Sequence, residues 1–268
     1  MGGLGNQMFQ LASAYAYSKK YNGNLKILKN KREEDGRSLY WDSLLSNFNK
    51  YIVDRIQIDL VQWNEKSPTE YSIIPPLTNK GIYLNGYLQS PKYFEDELTQ
   101  NEIRNLFKPP KKYIDVVVNK YKSLIENKER IIVVHARRTD YLKNQQMIET
   151  HGPLTVEYYK ESINKICQRV KNPFFLLISD DSSFWLSILN DISELVENEI
   201  YILNDENEVN TFILLQQFHN FIIANSTFSW WGAWMANEPK IVYAPSKWFG
   251  PAGPKNYTDI YISNWNLI

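Results

Sequence analysis

Five short apolar segments dominate the second half of the chain and limit what it can fold into. They are ERIIVVHA (129–136), FFLLIS (174–179), IYIL (200–203), FIIA (221–224) and KIVYA (240–244). Near-continuous apolar runs of this length, rich in β-branched and aromatic residues, read as strands covered on both faces. The stretches near 155–171, 182–190, 207–218 and 227–236 read as helices between them. Strict alternation of strand and helix predicts a doubly wound parallel sheet. Such a sheet binds ligands beyond the carboxyl ends of its strands. Three polar clusters fall at those ends: HARRTDY (135–141), SDD (179–181) and NSTFSWW (225–231).

HARRTDY places His135, Arg137, Arg138 and Asp140 just past a buried strand. Successive side chains of an extended chain point to opposite sides. One arginine is therefore expected to face the ligand crevice while the other pairs with Asp140. A guanidinium can hold two phosphate oxygens at once. The plainer alternative, a surface salt bridge, is disfavoured by the strand-end position. Asp180 and Asp181 of SDD can accept from a guanine edge or a ribose hydroxyl, or one of them can cap the helix that follows. No two aspartates are separated by a single residue, so the D-x-D pattern of metal-dependent sugar transferases is absent and no metal site is expected. In NSTFSWWGAW, Asn225 leads from a strand end into a helix start. The open N–H groups there, with the hydroxyls of Ser226, Thr227 and Ser229, make an anion site. Trp230, Trp231 and Trp234 are expected to face the core.

The first half is harder to read. MGGLGNQMFQ crowds three glycines into five residues, and Met8, Leu11, Ala12 and Tyr15 then fall at helical spacing. The stretch lacks the third glycine of a dinucleotide fingerprint. A turn that lets a substrate approach the bare main chain is the better reading. A helix is predicted over 6–20, with strands at LKIL (25–28) and IYLNGYL (82–88). Ser90 can cap a helix with Pro91 in its first turn, whose apolar face continues through Leu98, Ile103 and Phe107. A further helix is predicted over 113–126. Residues 29–80 are polar and loop-rich.

Composition removes several function classes. Lys plus Arg (30) equals Asp plus Glu (30), so no basic field draws in nucleic acid. The single cysteine, Cys167, excludes an internal disulfide, and three scattered histidines give no structural zinc site. No apolar run approaches the ~18–20 residues of a membrane span. No basic n-region of a signal peptide is present. A soluble protein in a reducing compartment is expected. Nucleophile motifs such as G-x-S-x-G are missing, and His219 at a helix-to-strand junction reads as structural. The aromatic content, 14%, suits either sugar-face stacking or core filling.

Taken together, GGLGNQMFQ, GYLQSPKYF (86–94), HARRTDY, HGPLTVEYY (151–159), SDD and NSTFSWWGAW resemble the α-1,2-fucosyltransferases of glycosyltransferase family 11. The motifs follow the family's order and cover most of the chain. HxRRxD alone is shared with α-1,6- and protein O-fucosyltransferases, whereas GGLGNQMFQ and NSTFSWW favour the α-1,2 group. The resemblance implies an α/β, GT-B-like fold of two Rossmann-like halves with a cleft between them. Residues 1–127 would form the acceptor side and 128–268 would hold GDP-β-L-fucose. Arg137 would grip the diphosphate. His135 and one of Asp180 or Asp181 would lie near the guanosine. Ser226, Thr227 and Ser229 would line the phosphates, with Arg138 and Asn225 in the same donor site. Gly3, Gly5, Asn6 and Gln7 would form a loop close to the fucose. Family members usually carry a strand before GGLGNQ, and this chain starts inside the motif.

The implied activity is inverting, metal-independent and cofactor-free transfer of fucose. Asp140, Glu149 and His151 are the candidate bases for the acceptor hydroxyl, with Asp140 open to capture by Arg138. The implied acceptor is a glycan ending in galactose, selected by loops within 29–80. A bacterial or viral cytoplasmic enzyme is expected, with at most peripheral membrane association. Two rivals stand beside it: a decayed transferase that binds glycans without catalysis, and a protein O-fucosyltransferase. The second usually comes with secretory targeting and cysteines. A nicotinamide oxidoreductase is disfavoured by the glycine spacing.

Overall fold

A computed structural model describes residues 2–28, 39–236 and 240–268. The chain divides into two compact units, Met1–Pro110 with Asn256–Ile262, and Lys111–Lys255 with Ser263–Ile268. The boundary expected at 127–128 is thus displaced. The helical segment before it belongs to the second unit, where Tyr121 donates to Glu206 at 2.5 Å and Lys120 pairs with the same carboxylate at 2.6 Å.

The first unit contains α1 (Leu4–Lys20), β1 (Ile27–Leu28), β2 (Ile52–Val53), β3 (Leu60–Asn64), β4 (Gly81–Asn85) and α2 (Glu97–Leu106). The helical spacing of Met8, Leu11, Ala12 and Tyr15 buries all four. Among the described residues the strands form two separate parallel pairs, β1 with β2 and β3 with β4, and not a Rossmann-like sheet. β4 stops at Asn85, short of the strand predicted to 88. The Glu65 carboxylate accepts there from the N–H groups of Tyr87 (2.7 Å) and Leu88 (2.8 Å), and Leu88 takes φ +56°. Ser90 caps a 3-10 turn containing Pro91, as its position suggested, and Asp96 then caps α2. Ile103 and Phe107 are buried, but Leu98 is 76% exposed and does not join that face. Residues 29–38, part of the stretch expected to select the acceptor, lie outside the described residues.

The second unit runs α3 (Lys111–Lys120), α4 (Lys122–Glu126), β5 (Ile131–Ala136), α5 (Gln145–His151), α6 (Val156–Cys167), β6 (Phe174–Ser179), α7 (Ser182–Ile188), α8 (Ser193–Glu197), β7 (Glu199–Leu203), α9 (Glu208–Leu215), β8 (Asn220–Ile222), α10 (Thr227–Met235), β9 (Ile241–Ala244) and β10 (Asn266–Leu267). Its sheet is parallel throughout, in the order β10-β9-β8-β5-β6-β7. From the β7 edge, and counted by appearance, the order is 3-2-1-4-5-6, that of a doubly wound dinucleotide-binding sheet. The chain winds outward from β5 to β7, then returns to lay β8 on the other flank of β5. The switch point therefore lies between β5 and β8. Every residue of β5 is buried, whereas β7 alternates as an edge strand. Trp230 and Trp231 of α10 are fully buried and meet at 5.0 Å, so the tryptophans face inward as expected. No described helix is long and apolar enough to cross a membrane.

Candidate active site

Beyond Ala136 the chain leaves the sheet and enters a 3-10 turn at Asp140–Leu142. The turn brings residues 137 and 140 to one side. Arg137 binds Asp140 at two points, Nε to Oδ1 and Nη2 to Oδ2, each 2.8 Å, and its Nε lies 3.3 Å from Asp180 Oδ2. Burial opposes the charge, but the two carboxylates outweigh it and raise the Arg137 pKa. Asp140 is thus held by Arg137, the arginine expected to grip the diphosphate, and not captured by Arg138; the 3-10 turn, where strand alternation has ended, sets the pairing. The two arginines do diverge. Arg138 lays its guanidinium over the Phe184 ring at 4.3 Å and donates to the Leu154 carbonyl at 3.1 Å.

Asp180, at the end of neighbouring β6, accepts from the backbone N–H groups of Arg138 (2.7 Å) and Thr139 (3.2 Å) and from the Thr139 hydroxyl (2.5 Å). It therefore braces the turn that carries Arg137. Asp181 caps α7 through the Ser183 N–H at 3.1 Å, the plainer of its two expected roles. His135 is 4% exposed, and its Nδ1 is buried without a partner. Burial lowers its pKa to about 4 against the pull of Asp180, so the ring is neutral at pH 7.

On the other side of the switch point, Asn225 is 2% exposed. Its Nδ2 donates to the carbonyls of His151 (2.7 Å), Gly152 (3.1 Å) and Trp248 (3.1 Å). Its own carbonyl accepts from the Tyr141 hydroxyl at 2.8 Å, and the Tyr141 ring stacks on His151 with centroids 4.4 Å apart. Ser226 occupies the N-cap of α10, yet its side chain makes no capping hydrogen bond. The first N–H groups of a helix have no partner within it, and here that end follows β8. Ser229 turns away from them: its one O–H is directed inward, shared between the carbonyls of Ala224 and Ser226. The expected phosphate-lining role does not fit that orientation. Thr227 opens the helix. The His135 and Phe228 rings, 5.6 Å apart, join the two sides.

The glycine motif sits in the first unit. α1 begins at Leu4 with Gly3 as N-cap, so Asn6 and Gln7 are helical as their spacing predicts and Gly5 joins them, whereas the resemblance implied a loop. Gly2 alone of these takes a positive φ, +76°. Gln7 Nε2 donates to the Gly2 carbonyl at 3.0 Å, and Gln89 Nε2 donates to Asn6 Oδ1 at 2.9 Å, tying GYLQS to GGLGNQ. Thr139, Tyr141 and Trp248 were not singled out from the sequence. The first two sit inside HARRTDY, and that position was the available signal. Among the described residues, no group of three His, Cys, Asp or Glu side chains is placed to hold a metal ion.

A sheet of this order, with a guanidinium and a helix start beyond the strands of its switch point, is a doubly wound α/β sheet, a class in which ligands bind at that place. Known proteins narrow the class. Residues 1–268 match glycosyl transferase family 11, and the chain belongs to that family; it is a glycosyltransferase. It is 30% identical to an alpha-1,2-colitosyltransferase of Escherichia coli, across 92% of this chain and 90% of that protein. It is 28% identical to the O-antigen biosynthesis glycosyltransferase WbnK of Escherichia coli, across 98% and 97%. Similarity to a putative galactoside 2-alpha-L-fucosyltransferase of Caenorhabditis elegans, svh-11, is 22% identity across 99% and 76%. Among solved structures, POFUT1 in complex with GDP-fucose shares the fold, with a TM-score of 0.51 and 12% identity over 91% of this chain and 95% of that one. The mixed α/β architecture is thus of the GT-B-like kind.

Proposed function

We propose that the protein transfers L-fucose from GDP-β-L-fucose to the 2-hydroxyl of a terminal galactose, with inversion to the α-linkage. The second unit is the donor-binding Rossmann half of a GT-B-like enzyme. The observation that carries the reading is that Arg137 follows β5 while the start of α10, with no side-chain cap from Ser226, follows the adjacent strand β8. Departure of GDP from the anomeric carbon builds negative charge on the diphosphate. A preorganised guanidinium and helix N–H groups stabilise that charge without reorganising at the moment of reaction. In this mechanism Arg137 exchanges part of its carboxylate contacts for phosphate oxygens, and Asp180 keeps its turn in place. Asp140 remains the counter-ion of Arg137 and Glu149 accepts from Gln145 Nε2 at 2.8 Å, so the acceptor proton is assigned to His151. Neutral His135 adds no charge beside the nucleotide. No metal is required, because Arg137 and α10 supply the positive charge.

A colitosyl donor is the second reading, favoured by the 30% identity to a colitosyltransferase. The test is incubation of the protein with GDP-fucose, GDP-colitose and a set of UDP-sugars, with a β-galactoside as acceptor. GDP release and an α-1,2-fucosylated product are expected. Transfer from GDP-colitose alone would replace the first reading by the second. Glycan binding with no transfer from any donor would leave a lectin.

A further inference from the structure

The last carbonyl groups of a helix have no partner within it. At the end of α5 every one of them is taken. The Ile148 carbonyl accepts from Gly152 N (2.9 Å), Glu149 from Ala252 N (2.8 Å) and Thr150 from Gly250 N (3.0 Å). The His151 and Gly152 carbonyls accept from Asn225 Nδ2. The donors come from two places: the segment after β9, and the residue that follows β8 by three positions. Close backbone approach makes this possible. Gly152 takes φ +61°, a Cβ on Gly250 would lie 2.3 Å from the Glu149 carbonyl oxygen, and one on Gly253 would lie 2.4 Å from that of Thr150. The third contact of Asn225, to Trp248, fastens the two sources together.

This is more than a helix end needs. One amide group with two N–H bonds is shared among three carbonyls, while its Oδ1 is buried and accepts nothing. An unsatisfied buried acceptor is costly and tends to persist where function requires it. What the arrangement holds is His151, with Tyr141 stacked on it and hydrogen-bonded to Asn225. Tyr141 in turn follows Asp140, the counter-ion of Arg137.

We propose that Asn225 and the segment 248–253 are positioning elements that set the His151 imidazole at the acceptor hydroxyl. This rests on the reading of His151 as the base. Misplacement of a reacting group by about 1 Å costs roughly 10²-fold in rate. Asn225→Ala, Asn225→Ser and Gly250→Ala are therefore expected to lower kcat for galactoside fucosylation by at least about tenfold. The KM for GDP-fucose should stay within about twofold, since the base does not hold the donor. The acid limb of the kcat–pH profile should shift, because the base is displaced. Asn220→Ala is the control. Asn220 is equally buried and opens β8, the strand that leads to Asn225, and its Nδ2 donates to the Glu129 and Ile131 carbonyls at the opposite end of the sheet. That variant should lose stability while keeping kcat and the pH profile. Whichever of the three variants folds decides the matter. Unchanged kcat and profile in a folded variant overturns the positioning role, as does a loss confined to donor KM. His151→Gln separates the two levels. If it keeps full kcat, the base assignment fails; if it is inactive while the Asn225 and Gly250 variants are not, only the positioning proposal fails.

Discussion

Arg137 and Asp140 meet as a two-point ion pair, with both contacts at 2.8 Å. The pair holds the guanidinium plane in one orientation before any phosphate arrives. Arg137→Ala should therefore lower kcat about 10²–10³-fold, the scale of removing one preorganised donor, and leave the fold intact by circular dichroism. Arg137→Lys keeps the charge but not the two-point geometry, and should recover little of the loss. Wild-type turnover in either variant would remove Arg137 from the mechanism.

Asp180 links the ends of β5 and β6 through the 138–139 turn. In Asp180→Ala two backbone N–H groups lose their acceptor, at a cost of about 1–3 kcal/mol. Chemical denaturation should show that loss, and the KM for GDP-fucose should rise with it as the Arg137 turn loosens.

Ser226 and Ser229 lie one helical turn apart and should behave differently. Ser229→Ala removes one inward O–H donor, shared between the Ala224 and Ser226 carbonyls, and should cost about 1 kcal/mol with donor KM unchanged. Ser226→Ala removes a hydroxyl that caps nothing and should raise donor KM with little loss of stability. Steady-state kinetics and melts on both variants check the split.

His135 makes stability depend on pH. Its folded pKa, about 4, lies below the ordinary value of about 6.5. Between those values the unfolded chain binds the extra proton. Stability is therefore full above about pH 6.5 and falls as pH drops toward 4, by on the order of 3 kcal/mol across the window. Denaturation midpoints at pH 7 and pH 5 should diverge in the wild type and converge in His135→Gln.

Because the proposed charge stabilisation comes from Arg137 and α10, transfer should proceed undiminished in excess EDTA. Loss of turnover under EDTA, restored by Mn²⁺, would sink the metal-free mechanism.

The sheet of the second unit was legible because β5 and β6 are unbroken apolar runs, which only a doubly covered sheet accommodates. The polar clusters at its strand ends followed from that. The partner of Asp140 was not legible, since it depends on a 3-10 turn that begins where strand alternation stops. α5 was missed for a related reason. It is a short helix with no fully buried residue, and its end is satisfied by donors a hundred residues downstream. Local periodicity carries no trace of such tertiary support. In the first unit, β1 and β2 are two residues each, too short for a pattern. Leu98 looked like a core residue by spacing, but α2 presents that position to solvent.

The return of residues 256–262 to the first unit has a consequence for biogenesis. Thr69 donates to the Asn256 carbonyl, the Tyr71 N–H donates to the Asp259 carboxylate, and Lys92 pairs with that same carboxylate at 2.6 Å. During synthesis the ribosome makes residues 39–110 long before these partners emerge. The amino-terminal unit must wait, incompletely tethered, while the parallel sheet downstream is assembled. A nascent chain stalled before Asn256 should therefore yield a protease-sensitive first unit beside a more resistant second unit that lacks only its edge strand β10.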